Sequence, residues 1–330
     1  MNPSTAFGTV FVDELIRCGL RDAVLAPGSR SAPLAMALFA RATAAAPAGG
    51  RAPRLHVRID ERSAAFLGLG LAKASRRPVA LICTSGTAAA HFHAAVIEAD
   101  EAGIPLIVLT ADRPPELRGT GTSQTIDQLK LYGGAVRWFS EAGVPEERPG
   151  MVRYWRSLAS RAWVMASGGA GGLPGPVHVN LPLRDPLVPD AAGDGPAWPE
   201  PLDGRPDGAS WTGAESSPGM DGGAAVLEWT ERGVVVCGDG DYDTTPLLAL
   251  AEAAGWPVLA EPSSNARRGP NALVWLGADR RWRHFVPVSP AESRPCPTDR
   301  VWRFAPPVRR ASRRRDDSRW SVMRLRPSSS

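Results

Sequence analysis

Five short runs in the first 190 residues constrain the fold of this chain more than any other feature. They are Asp22-Ala23-Val24-Leu25-Ala26, Leu55-His56-Val57-Arg58-Ile59, Val79-Ala80-Leu81-Ile82-Cys83, Leu106-Ile107-Val108-Leu109-Thr110 and Pro176-Val177-His178-Val179-Asn180. Each has the length of a strand, and most are too continuously apolar to lie on a half-solvated sheet. Stretches of strong helix formers stand between them, at residues 32–46, 62–75, 88–102 and 151–166. Ala64, Ala65, Gly68 and Gly70 keep the second of these slim enough to pack closely on a sheet. Apolar strands alternating with helices predict an α/β fold, a doubly wound parallel sheet covered on both faces.

The pattern divides the chain. Residues 1–189 form the first α/β domain. Residues 190–231 are rich in Gly, Pro, Asp and Ser and read as a linker. Over 232–272 a second α/β pattern starts, with strands at Gly233–Cys237 and Trp256–Ala260 and a helix at Pro246–Ala254, and then does not finish. Residues 273–330 form an irregular tail. From Gly277 onward it holds 14 Arg, no Lys and 5 Asp or Glu, a surplus of nine positive charges against +4 for the whole chain. The body is therefore mildly acidic. A disordered basic tail, a nonspecific phosphate binder and DNA read in a shifted frame all fit this composition. The shifted frame fits best, because a domain stops midway where the composition changes, and no nucleic-acid-binding module is recognisable. No run of 18 apolar residues occurs, so no membrane span is expected. Cys18, Cys83, Cys237 and Cys296 are scattered, with no zinc or disulfide spacing. A cytoplasmic location is expected, without nucleic acid.

Four segments follow the first four strands: Pro27-Gly28-Ser29-Arg30-Ser31, Asp60-Glu61-Arg62, Thr84-Ser85-Gly86-Thr87-Ala88 and Ala111-Asp112-Arg113-Pro114-Pro115-Glu116-Leu117. In an open parallel sheet such junctions line the ligand crevice. Ser29 and Arg30, in a turn before a helix, suit a carboxylate or phosphate, although a serine there can equally cap the helix. Arg113 offers a second bidentate contact; a surface arginine in a proline-rich loop is the plainer reading. Gln124 sits in a flexible Gly/Thr/Ser stretch suited to folding over a ligand. Thr84, Ser85, Gly86 and Thr87 let backbone approach a flat ring or an anion. They lack the GxGxxG pattern and the P-loop lysine of nucleotide sites. Glu61 is expected in a partly apolar setting between Ile59 and the Ala64-Ala65-Phe66 run. That setting would favour its protonated form and let it share a proton with a ligand nitrogen. Taken alone, it reads as an acid complementing a helix dipole. His91 and His93 diverge on a helix and read as packing residues.

Together these segments resemble one family, the 2-succinyl-5-enolpyruvyl-6-hydroxy-3-cyclohexene-1-carboxylate synthases, thiamine-diphosphate enzymes of menaquinone biosynthesis. The resemblance is strong over residues 4–185 and weaker over 232–265. Pro-Gly-Ser-Arg-Ser and Thr-Ala-Asp-Arg-Pro-Pro-Glu-Leu set this branch apart from other thiamine-diphosphate enzymes, which share the glutamate. The resemblance implies that the first domain is the pyrimidine-binding domain. Glu61 would hydrogen-bond the cofactor's aminopyrimidine and promote its imino tautomer, and Thr84–Thr87 would line that ring. Ser29, Arg30, Arg113 and Gln124 would hold substrate, with the arginines on carboxylates. The implied activity is a transferase reaction: 2-oxoglutarate is decarboxylated and its succinyl carbanion adds to isochorismate. A homodimer or tetramer is also implied.

The family's third domain carries the acidic motif that holds Mg2+ (or Mn2+) and the cofactor diphosphate, and no match to it is seen here, so no metal ligands are assigned. Gly238-Asp239-Gly240 followed by Asn265 imitates that motif in spacing but falls in the central domain, and reads as coincidence. His91-Phe92-His93-Ala94 also departs from the family's usual Asn-Leu-Tyr/His-Pro, a packing change. The expectation is a truncated or frame-shifted copy, inactive alone. Another thiamine-diphosphate decarboxylase or synthase, or a non-catalytic dimerising fragment, remains the alternative.

Overall fold

The structure, a computed structural model, describes residues 1–44, 52–169, 172–190, 198–213, 233–240, 242–274, 286–287 and 321–324. Most of the expected linker and tail therefore lies outside the described residues. The chain divides into two compact units, Met1–Ser217 and Pro218–Ser330.

Unit 1 is built on a six-stranded sheet. Its strands are β1 (Asp22–Leu25), β2 (Arg54–Val57), β3 (Val79–Cys83), β4 (Leu106–Asp112), β5 (Trp138–Glu141) and β6 (Val177–Pro182). The order is β2-β1-β3-β4-β6-β5, and every neighbouring pair is parallel. All the carboxyl ends thus lie along one edge. The connection after β1 runs to β2 on one side and the connection after β3 runs to β4 on the other, making the gap between β1 and β3 a topological switch point, where open sheets of this kind bind ligands.

Helices cover both faces. Along β3 the side chains of Ala80 and Ile82 enter one core with α1 (Pro3–Cys18), α2 (Ala32–Thr43) and α6 (Met151–Ala166), whereas Leu81 and Cys83 enter the other, with α3 (Glu61–Ser75) and α5 (His93–Glu101). This is the period-two division of a strand buried on both sides. Trp155 of α6 meets Phe7 of α1 edge to face at 5.6 Å in the middle of the first core.

α1 and β5 were not expected. The signals for α1 are local. The Asn2 side chain accepts from the Thr5 amide at 2.9 Å, Pro3 starts the helix, and Gly19 ends it in the left-handed region at φ 113°. The helix expected over 88–102 is broken in two, α4 (Thr87–Ala90) and α5, with His91 exposed between them. His93 alone packs, edge-on against Tyr132 at 5.5 Å.

Unit 2 contains β7 (Gly233–Cys237), α7 (Thr245–Ala254), β8 (Val258–Ala260), β9 (Ala272–Val274), β10 (Val286–Pro287) and β11 (Ser321–Arg324). The sheet order is β10-β9-β8-β7-β11, with β10 antiparallel and the others parallel. Two short segments of the Arg-rich stretch thus pair in this sheet. Asp239 follows β7, and Asn265 lies between β8 and β9 at φ 56°. Among the described residues no group of three or more His, Cys, Asp or Glu side chains could hold a metal ion, and no helix is long and apolar enough to cross a membrane.

Candidate active site

The four sequence segments do lie along the carboxyl edge of the first sheet. At its centre the loops after β1 and β3 almost touch. A Cβ on Gly28 would fall 2.4 Å from Thr84 Cβ, so only glycine allows this approach. Gly86 lies at φ 85°, and a Cβ there would fall 3.0 Å from the Gln124 carbonyl oxygen. The Gln124 backbone is therefore seated on the Thr84–Thr87 turn, while its side chain is exposed.

Ser29 and Arg30 lie in a 3-10 turn, Ser29–Ser31, that leads into α2. Ser31 does not cap α2; its hydroxyl donates to the Gly28 carbonyl at 3.0 Å and closes the turn. Ser29 is exposed, whereas Arg30 is 7% exposed and Arg113, just past β4, is 8% exposed. Arg30 Nη1 donates to the Leu183 carbonyl at 2.9 Å and to Asp185 Oδ2 at 3.0 Å. Arg113 Nη1 donates to Ser85 Oγ. Both guanidinium groups keep a buried Nε with no partner. Burial, and then the like charge of Arg30, pull the Arg113 pKa below its usual range. Two neighbouring cations with unfilled donors could accept a carboxylate or phosphate at this corner.

Glu61 is the first residue of α3, behind Asp60, whose Oδ1 accepts from the Ser63 amide at 2.7 Å. It is half-buried. Burial, and then the nearby Glu61, push the thiol of Cys83, the residue before the Thr84–Thr87 turn, upward. The apolar enclosure expected around Glu61 is not formed by Ile59, which is 81% exposed, nor by the exposed Phe66.

Several residues that shape the site were not singled out by sequence reasoning. Asp112 Oδ1 accepts the Arg113 amide at 2.7 Å, and its Oδ2 accepts from Arg118 at 2.8 Å and Asn180 Nδ2 at 2.9 Å. Gln128 Oε1 accepts the Gly86 amide at 2.8 Å. Asp185 supplies the carboxylate that Arg30 meets. A signal existed on the strands. Thr110 and Asp112, and likewise His178 and Asn180, place polar side chains at alternate positions of buried strands.

These residues suit one half of a thiamine cofactor. The Thr84–Thr87 turn offers backbone polar groups beside a positive-φ glycine, and Glu61 offers a carboxylate. Among the described residues no group of three or more His, Cys, Asp or Glu is placed to hold the metal that would accompany its diphosphate.

Sequence comparison places the chain beside known proteins. Residues 5–131 match the family model described as thiamine pyrophosphate enzyme, N-terminal TPP binding domain. The 2-succinyl-5-enolpyruvyl-6-hydroxy-3-cyclohexene-1-carboxylate synthase of Thermobifida fusca (strain YX) is 61% identical over 268 residues, covering 81% of this chain and 46% of that protein. The protein of the same name from Saccharopolyspora erythraea is 54% identical over 282 residues, 84% of this chain and 48% of its own length. That of Bacillus velezensis is 46% identical over 276 residues, 81% of this chain and 44% of its own. The chain spans about half the length of the curated relatives it matches. Over four-fifths of its length the chain is thus similar in sequence to a little under half of the 2-succinyl-5-enolpyruvyl-6-hydroxy-3-cyclohexene-1-carboxylate synthases.

Proposed function

We propose that this chain supplies the pyrimidine-side half of a thiamine-diphosphate transferase that decarboxylates 2-oxoglutarate and adds the succinyl unit to isochorismate. One observation carries the reading. Arg30 and Arg113 are buried side by side at the switch-point edge, each with an unpartnered Nε, beside the Thr84–Thr87 turn. Both named substrates carry carboxylates, and paired guanidinium groups recognise them with geometric as well as electrostatic selectivity. Ser29 and Gln124, exposed at the rim, are assigned to further substrate contacts.

Thiamine diphosphate, when bound, supplies the electron sink for decarboxylation. Glu61 would hold a proton against the aminopyrimidine edge, and the Thr84–Thr87 backbone would orient that ring. Arg30 and Arg113 would fix the substrate carboxylates over it. Mg2+ and the diphosphate are assigned to the half of the relatives that lies outside the match. Exposed apolar residues Val57, Ile59 and Phe66 flank Glu61. We assign their cover to a second copy of the chain, giving a homo-oligomer that acts in the cytoplasm.

The test is calorimetric titration of the full chain with 2-oxoglutarate. Saturable binding is expected, weakened at least about tenfold by Arg113→Lys, which keeps the charge and loses the fork. Binding that is unchanged by Arg30→Ala and by Arg113→Lys would refute the assignment.

A further inference from the structure

Below the site, a group of buried side chains joins the loop after β3 to the loop after β4. Gln128 is 1% exposed and Asn180 is wholly buried. The Gly86 amide donates to Gln128 Oε1 at 2.8 Å. Gln128 Nε2 donates to the Ala111 carbonyl at 3.1 Å and to Asn180 Oδ1 at 2.9 Å. Asn180 Nδ2 donates to Asp112 Oδ2 at 2.9 Å, and Asp112 Oδ1 receives the Arg113 amide at 2.7 Å. The path therefore runs without a break from the turn assigned to the cofactor ring to the arginine assigned to substrate.

Each amide orientation along the path is fixed by the next. Asn180 must turn Nδ2 toward the acceptor-only Asp112, which leaves Oδ1 for Gln128 and for Thr110 Oγ1, at 2.8 Å. Gln128 must then turn Nε2 inward and Oε1 toward Gly86. Thr110, having given its proton to Asn180, accepts from His178 Nε2–H at 2.8 Å. Register explains the hub, because parallel pairing sets Thr110 beside Asn180. Apolar side chains would fill these positions at no loss of stability if the two loops needed no alignment, since a hydrogen-bonded pair contributes little net. A fully satisfied buried network instead specifies a single arrangement.

We propose that Gln128 and Asn180 are positioning residues, which lock the Thr84–Thr87 turn and the Arg113 loop into one fixed relative placement. The consequence for substrate affinity rests on the anion-site reading above; the locking itself does not. Neither residue lines the site, so both act through Gly86, Asp112 and Arg113.

Hydrogen exchange by mass spectrometry on the full chain tests this. Peptides covering 84–87 and 112–118 are compared in wild type, Gln128→Met and Asn180→Leu. The expected result is reciprocal. Each substitution raises exchange in both loops, by roughly tenfold for a lost buried partner, while peptides of α1 and α6 keep wild-type rates. Gln128→Glu, nearly the same shape, keeps an acceptor for Gly86 and loses both donors. It breaks the path at Ala111 and Asn180, is likewise expected to loosen both loops, and serves if the other changes fail to fold. Loosening confined to the loop nearest each substitution, or an equal rise in α1 and α6, overturns the proposal. Titration with 2-oxoglutarate separates the two claims. If wild type does not bind, the anion-site reading fails, while the exchange data still decide the locking.

Discussion

Gly28→Ala is the sharpest probe of the switch point. Gly28 has φ −173° and ψ 160°, extended backbone that any residue adopts. Alanine therefore meets no conformational penalty and, by restricting the unfolded chain, should stabilise by about 0.4–1 kcal/mol. Against this stands one methyl group. It would fall 2.4 Å from Thr84 Cβ, 2.6 Å from Cγ2 and 2.8 Å from Oγ1. The first of these atoms is fixed by the backbone, so no rotamer change relieves the contact. Carbon atoms rest at about 3.5–4.0 Å, so the β1 and β3 loops must separate by about 1 Å. Overpacking of this kind costs about 1–3 kcal/mol. The net loss is about 1–2 kcal/mol, which for a unit of this size lowers Tm by about 4 °C. Thermal unfolding followed by circular dichroism reads it. Thr84→Gly removes all three opposing atoms, so in that background Gly28→Ala should become neutral or stabilising. An equal loss in both backgrounds would show that the close approach of the two loops is not what demands glycine here.

Two further substitutions test the interior. Burial holds the His178 pKa down to about 3, so the folded chain stays unprotonated there while the unfolded chain takes up a proton below about 6.5. Stability must therefore fall as pH drops through that window, by about 1.4 kcal/mol per unit, and be fully present above it. In urea unfolding, His178→Gln should flatten the acid limb between pH 6 and 4 by that slope; parallel limbs would contradict it. Arg156 bridges α6 to α1, donating to Glu14 Oε2 at 2.7 Å, to Asp13 Oδ2 at 3.0 Å and to the Leu202 carbonyl at 2.7 Å. Arg156→Met strands Glu14, which is 0% exposed, and should cost about 3–5 kcal/mol. Adding Glu14→Gln should recover more than half of that loss, and no recovery would assign the cost to packing alone.

The sheet of unit 1 was legible because its central strands, buried on both faces, carry continuous apolar runs, such as Val79–Cys83 and Leu106–Leu109. The runs at 79–83 and 106–110 lie within or coincide with the strands found, and the helix over 151–166 matches residue for residue. β5 was missed because Trp138-Phe139-Ser140-Glu141 is an edge strand, half-buried, with no continuous apolar run to betray it. α1 was missed despite Asn2, Pro3 and Gly19, which are all legible caps, because its core face mixes Ser4, Gly8 and Glu14 with Phe7, Val10 and Phe11. Glu14 is tolerated there because Arg156, 142 residues away, meets one carboxylate oxygen and the Trp211 amide meets the other.

The site shows the same boundary between local and distant information. Arg30, Arg113 and the Thr84–Thr87 turn could be chosen from sequence because each stands directly after a strand, and parallel strands must bring their ends to one edge. Which side chains hold those loops in place could not be chosen, because that depends on register. Asn180 becomes a hub only when β6 pairs with β4 so that Thr110 lies beside it and Asp112 two residues further along. Gln128 reaches the path from a loop whose composition resembles any other turn. What sequence did display was alternation: Thr110 with Asp112, and His178 with Asn180, on strands whose other positions are apolar. A polar residue at every second place on a fully buried strand cannot be facing water. It must have a partner on the neighbouring strand or beyond the strand end, and at a carboxyl edge that partner belongs to the functional loops.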